Sequence, residues 1–105
     1  MARFLTVWRS NRMAPWPRDP QEYSNLSKKM WAGIEDLMKK GEIKEFGFFI
    51  DGRSGFVISE GDALTCLRNH SMFGAFYDFE VNEIIPYEQG KETMRAVMKA
   101  QAAQK

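Results

Sequence analysis

The alternation of hydrophobic and polar residues predicts β-strands that are apolar on both faces. In the segment 44–50, a strand directs Phe46 and Phe48 to one side and Gly47 and Phe49 to the other. The first predicted strand carries large apolar side chains on both sides in the same way. A sheet that helices cover on one side needs only one apolar face. We therefore expect the second face to pack against another copy of the chain.

Helix signals lie between the predicted strands. Asp19 suits an N-cap, Pro20 suits the first helical turn, and Gly41 suits a left-handed helix end. The full set of predicted elements is a strand at 3–8, a helix from Pro20 to near Gly41, a strand at 43–50, a hairpin turn at 51–55, a short strand at 56–58, a helix that Ser59 caps and that ends near His70, a strand at 75–85 and a helix at 91–105.

This order of elements predicts an α+β fold. Two right-handed β-α-β crossings joined by a hairpin give the ferredoxin-like βαββαβ arrangement, a four-stranded antiparallel sheet of order 4-1-3-2 with two helices on one face. We assign residues 1–88 to this domain and residues 89–105 to a C-terminal accessory helix. Sheets from two protomers would pack face to face in a two-fold dimer. With Phe48 at the interface, Phe48→Asp is predicted to release monomers or to cause aggregation.

Two segments resemble a known group of proteins. The run FGAFYDFEVNEIIP from Phe73 to Pro86 is similar to the last strand of the muconolactone isomerase-like proteins, and GFVISEGDAL from Gly55 to Leu64 is similar to the region before it. The Pro-rich segment before the first helix also resembles them, so that the likeness covers about residues 1–88. It implies membership of the dimeric α/β-barrel superfamily, which includes isomerases, small monooxygenases and dehydratases. It further implies a barrel of two sheets, with any site between the open face and the helix ends. The chain departs from the isomerase after its first helix, so the resemblance does not carry that activity over.

Composition narrows the class of protein. With 105 residues, a single domain is expected. Formal net charge is +1, with acidic and basic residues interspersed, so a nucleic-acid partner is not favoured. No apolar run approaches the roughly 18 residues of a membrane span. The first residues lack the pattern of a signal peptide, and the single cysteine, Cys66, fits a reducing compartment. We expect a cytoplasmic protein.

Three residues are candidates for acid–base catalysis. Asp78 and Glu80 are two residues apart on the last predicted strand, so they project from one face and would line a cavity between the two sheets, where they could transfer protons. His70, the only histidine, could also act near neutral pH. The alternatives are a solvated strand face, ion pairs with Arg3 or Arg9, and a structural histidine at a helix end.

Five residues are candidates for ligand binding. Trp8, Arg9, Arg12 and Trp16 cluster around the Pro-rich loop, and Phe48 lies on the doubly apolar strand. Aromatic and guanidinium groups together can hold a planar acid or a partner surface. The alternative is a packed lid with solvated arginines, in which a tryptophan seals the edge of the core.

No metal site or cofactor is predicted, because one histidine and one cysteine do not form a ligand cluster. Three functions remain open. The first is a small homodimer that binds a small organic molecule. The second is a cofactor-free isomerase or monooxygenase that uses Asp78 or Glu80. The third is an assembly module whose barrel is filled by its own side chains. A cavity of about 300 Å³ or more lined by the two carboxylates would favour the enzyme. A cavity plugged by Phe46, Phe48 and Trp8 would favour the module.

Overall fold

The computed structural model describes residues 2–104, so the parts of the predicted elements that fall on Met1 and Lys105 lie outside the described residues. Seven elements follow one another: β1 (Ala2–Ser10), α1 (Pro20–Lys39), β2 (Ile43–Phe48), β3 (Ser54–Gly61), α2 (Ala63–Ser71), β4 (Tyr77–Ile84) and α3 (Tyr87–Ala103). The four strands form one antiparallel sheet in the order β2-β3-β1-β4. This is an α+β fold, and its topology is compatible with the predicted ferredoxin-like arrangement.

Helix α1 begins and ends where the sequence predicts. The Asp19 carboxylate accepts a hydrogen bond from the Glu22 backbone N–H at 3.0 Å, which satisfies one of the free donors of the first turn. At the other end, Gly41 has a φ of 77°, which a residue without a Cβ adopts at little cost. The helix packs on the sheet through the buried Leu37.

The prediction that Ser59 caps the second helix is wrong. Strand β3 continues to Gly61, because Ser59 and Gly61 are paired with Phe4 and Ala2 of β1. The ladder therefore holds the backbone of this segment extended. The next residue with a capping side chain, Asp62, is the N-cap and accepts a hydrogen bond from the Thr65 backbone N–H at 2.8 Å.

Alternation along the strands divides the sheet into two different faces. The face toward the helices carries the buried Phe4, Thr6 and Trp8 of β1. Trp8 forms a core cluster with Leu37, Ile43 and Val57. The opposite face, called the open face below, carries a half-buried apolar set consisting of Leu5, Val7, Phe56 and Ile58. The prediction of apolar side chains on both faces is confirmed.

Helix α3 starts at Tyr87, four residues before the predicted residue 91. None of its residues is buried against the rest of the chain. Because it projects from the sheet and the other helices, the described residues measure 67 Å along their longest axis but 28 and 24 Å across it. Within residues 2–104, no helix combines the length and the hydropathy that crossing a membrane requires.

Candidate functional site

A cavity of about 860 Å³ lies between the helix-facing side of the sheet and helices α1 and α2. All three tryptophans of the chain, Trp8, Trp16 and Trp31, line it. Cavities that hold small molecules in proteins have volumes of roughly 300–1,000 Å³. The space is therefore large enough for an organic ligand within one protomer.

An array of aromatic rings forms the wall of the cavity on the sheet side. The Trp8 indole stacks on Phe46 with ring centroids 5.6 Å apart and an interplanar angle of 14°. Phe48 and Tyr77 each meet the same indole edge to face, also with centroids 5.6 Å away. From α1, Trp31 closes the array against Phe48 at 5.4 Å. Such rings offer flat apolar surfaces against which a planar ligand can stack.

His70 marks the end of the cavity that lies beside α2. Its Nδ1 lies 2.6 Å from the Cys66 carbonyl oxygen, which only accepts hydrogen bonds, so Nδ1 carries a proton and donates. Its Nε2 lies 2.6 Å from the hydroxyl of Thr6, a fully buried residue. The hydroxyl donates when Nε2 is unprotonated and accepts when Nε2 carries a proton. Both ring nitrogens are thus engaged within the fold. The histidine ties α2 to the central strand, and a proton transfer to a ligand would require it to release one of these partners.

The other end of the cavity lies where β1 ends and β3 begins. The Ser10 backbone N–H donates to the Arg53 carbonyl oxygen at 2.9 Å, which joins the two chain segments at this edge. Arg12 and Arg53 both line the cavity there, together with Ser10. Neither guanidinium forms an ion pair with any residue in the range 2–104. The mouth of the cavity therefore carries two uncompensated positive charges.

Trp16 covers this mouth from the Pro-rich loop. Its indole N–H donates to the Asn11 carbonyl oxygen at 2.7 Å, and its ring lies against Phe76 with centroids 4.8 Å apart and against Tyr77 at 5.6 Å. The two prolines of this loop, Pro15 and Pro17, disfavour regular structure, so the segment is held by these contacts. Trp16 lies at the edge of the core, which is the position expected if the loop is a packed lid. It also forms part of the cavity wall.

Two buried polar atoms on residues that line the cavity have no hydrogen-bond partner among residues 2–104: Trp8 Nε1 and Ser59 Oγ. The hydroxyl of Ser59 lies near the Cys66 thiol and slightly favours ionisation of that thiol. The two groups do not form a hydrogen bond. Most buried polar groups in folded proteins are paired. These two atoms are therefore candidates for contact with a polar group of a ligand.

Burial changes the pKa values of two further groups of the cavity, Cys66 and Tyr77. Burial raises the pKa of the Cys66 thiol, which makes the thiolate scarce and the residue a poor nucleophile. Burial is also the main cause that raises the pKa of the Tyr77 phenol. Within residues 2–104, no three His, Cys, Asp or Glu side chains are grouped closely enough to hold a metal ion.

The structure separates the residues that the sequence predicts to act together. Trp8, Arg12, Trp16 and Phe48 line the cavity, and so does His70. The other three predicted site residues lie on the open face of the sheet, where Arg9 pairs in register with Asp78, and Glu80 is the neighbour of Val7. Asp78 and Glu80 are therefore not part of the cavity, because it lies on the side of the sheet to which Tyr77 and Phe79 point.

The prediction that assigns Phe48 to the face packed against a second sheet is wrong about the face. Phe48 points to the helix side, where it packs against Trp8 and Trp31. Its neighbour Phe49 has the opposite orientation and stacks on Phe56 of the open face, with ring centroids 6.3 Å apart. Both aromatic residues are where alternation places them, but the helices lie on the Phe48 side.

Sequence reasoning missed several residues of the cavity. Arg53 has the sequence context of an ordinary hairpin-turn residue, and its position at the cavity depends on the pairing of β1 with β3. The sequence predicts only that Asn69 lies near the end of a helix. In the structure, Asn69 is buried and lines the cavity beside His70. Trp31 carries the one usable signal, since a large aromatic residue at the flank of the apolar stripe of α1 must contact something next to the sheet.

No protein-family model matches the chain, and a search of curated proteins finds no match to it.

Proposed function

We propose that the protein binds a small, largely apolar and planar organic molecule in the cavity between the sheet and the helices. The observation that carries this proposal is the cavity of about 860 Å³, which is walled by aromatic rings and has a few polar groups at its two ends. Sites for small molecules typically combine a mostly apolar lining with a small number of polar groups that fix orientation. Stacking on Trp8 and its aromatic neighbours would supply most of the affinity.

The arrangement supports binding more than the alternative of a cofactor-free isomerase or monooxygenase. Asp78 and Glu80, the predicted acid–base pair, lie on the open face, where the proposed dimer would place them between two sheets, and they do not line the cavity of the single chain. His70 uses both ring nitrogens in hydrogen bonds to the fold. The assembly module is less well supported, because the single chain already holds a cavity of about 860 Å³ that Trp8 and Phe48 line.

Binding can be tested with N-phenyl-1-naphthylamine, a neutral probe whose fluorescence rises in an apolar environment. The expected result is saturable binding that Ser27→Phe weakens at least tenfold, since Ser27 lines the cavity from α1 and the new ring would occupy part of it. The matched control is Lys28→Phe, which adds the same ring one residue further on, at an exposed position outside the cavity. Equal binding by both variants, or no saturable binding by the wild type, would overturn the proposal.

We also propose that the protein is a homodimer of the dimeric α/β-barrel type. Its support is the open face, on which Val7, Phe56 and Ile58 form a half-buried apolar group in the single chain. A second copy of this face would remove that surface from water, and a two-fold arrangement is the commonest closed solution. The described part of α3, with Tyr87 and Met94 exposed, has no partner within its own chain either.

Light scattering coupled to size exclusion tests this assembly. We expect a mass of twice 12.2 kDa for the wild type and a lower mass for Val7→Asp, which places a charge in the centre of the open face. Phe48→Asp serves as the comparison, because it changes the cavity side of the sheet. A monomeric wild type would contradict the dimer.

A further inference from the structure

The cavity is charged with one sign only. The chain has 15 Lys and Arg against 14 Asp and Glu, so its charges are balanced as a whole. Among the described residues, the cavity is lined by two arginines, Arg12 and Arg53, and by no carboxylate. Both arginines lie at the same edge of the sheet, where β1 leaves it and β3 enters it. The balanced composition thus conceals a local site with two positive charges.

We infer that the ligand is an aromatic carboxylic acid. Its carboxylate binds at Arg12 and Arg53, and its ring lies against the aromatic wall of the cavity around Trp8. This inference rests on the proposed function and adds the chemical class of the ligand. A guanidinium has the planar, forked geometry that matches a carboxylate, and such charge-assisted hydrogen bonds are about twice as strong as neutral ones. The aromatic wall begins beside these arginines, since Trp8 is two residues before Ser10.

The nearest acidic residue of the hairpin, Asp51, forms no ion pair with Arg53 in the described part of the chain. The Asp51 carboxylate accepts hydrogen bonds from the Arg53 backbone N–H at 2.9 Å, from the Ser54 backbone N–H at 3.1 Å and from the Ser54 hydroxyl at 2.9 Å. These bonds stabilise the turn and lower the pKa of Asp51, with a smaller contribution from the charge of Arg9. The Arg53 guanidinium is therefore available to a ligand.

The far end of the cavity offers a carboxylate no arginine, which gives the ligand a direction. Ser59, Asn69 and His70 lie there with hydroxyl, amide and imidazole groups, and both ring nitrogens of His70 are already engaged by Cys66 and Thr6. A charged group placed there would lose its hydration without meeting an opposite charge. The carboxylate consequently belongs at the arginine end, and a neutral polar substituent such as a hydroxyl or carbonyl belongs at the far end.

The test compares 2-naphthoate with 2-naphthamide by isothermal titration calorimetry, because the two probes share a ring system and differ in charge. We expect naphthoate to bind the wild type about tenfold more tightly or better, as for a hydrogen bond to a charged group. Arg12→Gln and Arg53→Gln should each weaken naphthoate by about tenfold and change naphthamide less than twofold. Arg9→Gln is the matched control, since Arg9 lies on the open face and should leave both affinities unchanged.

The outcomes separate this inference from the proposed function. If naphthoate and naphthamide bind equally well and Ser27→Phe blocks both, the cavity binds ligands and the preference for an acid is wrong. If neither probe binds, the proposed function fails and the inference fails with it. If Arg9→Gln weakens naphthoate as much as Arg12→Gln does, the attraction is a property of the whole surface, and the assigned site is wrong. A third probe, 2-naphthyl phosphate, would overturn the carboxylate assignment by binding more tightly than naphthoate.

Discussion

The aromatic wall of the cavity depends on the absence of a side chain at Gly55. This residue is paired with Trp8 on one side and with Phe48 on the other, so two large aromatic residues flank it in the sheet. A Cβ atom at this position would overlap the Gly47 carbonyl oxygen and lie 2.6 Å from Cζ2 of Trp8. Carbon atoms in contact are normally about 3.5–4.0 Å apart, so the indole would have to move by about 1 Å. Gly55→Ala must therefore disturb both the sheet and the cavity.

The stability lost by Gly55→Ala should lie at the upper end of the range measured for substitutions that add atoms to a packed core. Extra atoms in a packed core typically cost about 1–3 kcal/mol, and here one clash is with backbone, which yields less readily than a side chain. We expect a loss of about 3 kcal/mol in the free energy of unfolding. With an m-value of about 2 kcal/mol per M, the midpoint of urea unfolding would fall by about 1.5 M. Tryptophan emission should change as well, since Trp8 is displaced.

Gly52→Ala provides the comparison for this prediction. Gly52 has a φ of 71° in the hairpin turn, but no other atom lies within 4 Å of the position of its Cβ. The substitution therefore costs only the left-handed conformation, about 1–2 kcal/mol. Urea melts at one protein concentration would measure both variants. If Gly55→Ala proved as stable as Gly52→Ala and left the emission spectrum unchanged, the close approach of Trp8 to the strand would be refuted.

Three further substitutions test individual parts of the fold. Gly33→Ala in α1 should stabilise the protein by about 0.5–1 kcal/mol, because glycine in a helix is less stable than alanine. The new Cβ would lie 3.4 Å from Phe73, so it fits without a clash. A lower melting temperature would refute this. Thr6→Val should cost about 1–3 kcal/mol by leaving His70 Nε2 without its hydrogen-bond partner. Thr6→Ser, which keeps the hydroxyl, should cost clearly less, and equal losses would refute the hydrogen bond. The bond from the Thr65 backbone N–H lowers the pKa of Asp62 below 3.8, so its carboxylate stabilises the fold above that pH and this contribution disappears as the pH falls through the lower folded value. The advantage of the wild type over Asp62→Asn at pH 7 should therefore shrink as the pH falls below 3.8, and a gap that stays unchanged across that range would contradict this.

The elements of the fold could be predicted from local signals. Backbone geometry is specified within a few residues at three places. These are the start of α1 at Asp19-Pro20, the end of α1 at Gly41 and the alternation of buried and exposed residues along β1. The end of β3 could not be predicted in this way, because pairing with β1 decides it and Ser59 by itself is an acceptable N-cap. Prediction worked where a few neighbouring residues determine the structure and failed where a partner strand does.

The site could be predicted only in part for the same reason. Alternation correctly places Asp78 and Glu80 opposite Tyr77, but it does not say on which face a cavity forms. That depends on how far the helices stand from the sheet, and large side chains such as Trp8 hold them apart without filling the space between. Arg53 joins the site only through the hairpin register, which brings a turn residue next to the end of β1.

The alternation that makes β1 apolar on both sides also makes the two proposals independent. Val7 and Trp8 are consecutive residues, yet one lies on the open face and the other forms the wall of the cavity. A substitution that keeps the strand intact can therefore change one surface without altering the other. Val7→Asp should lower the mass in solution while leaving the affinity for naphthoate intact, and Ser27→Phe should do the reverse. If the two effects proved inseparable, the ligand would have to contact both protomers, and a cavity contained within one chain would not be the binding site.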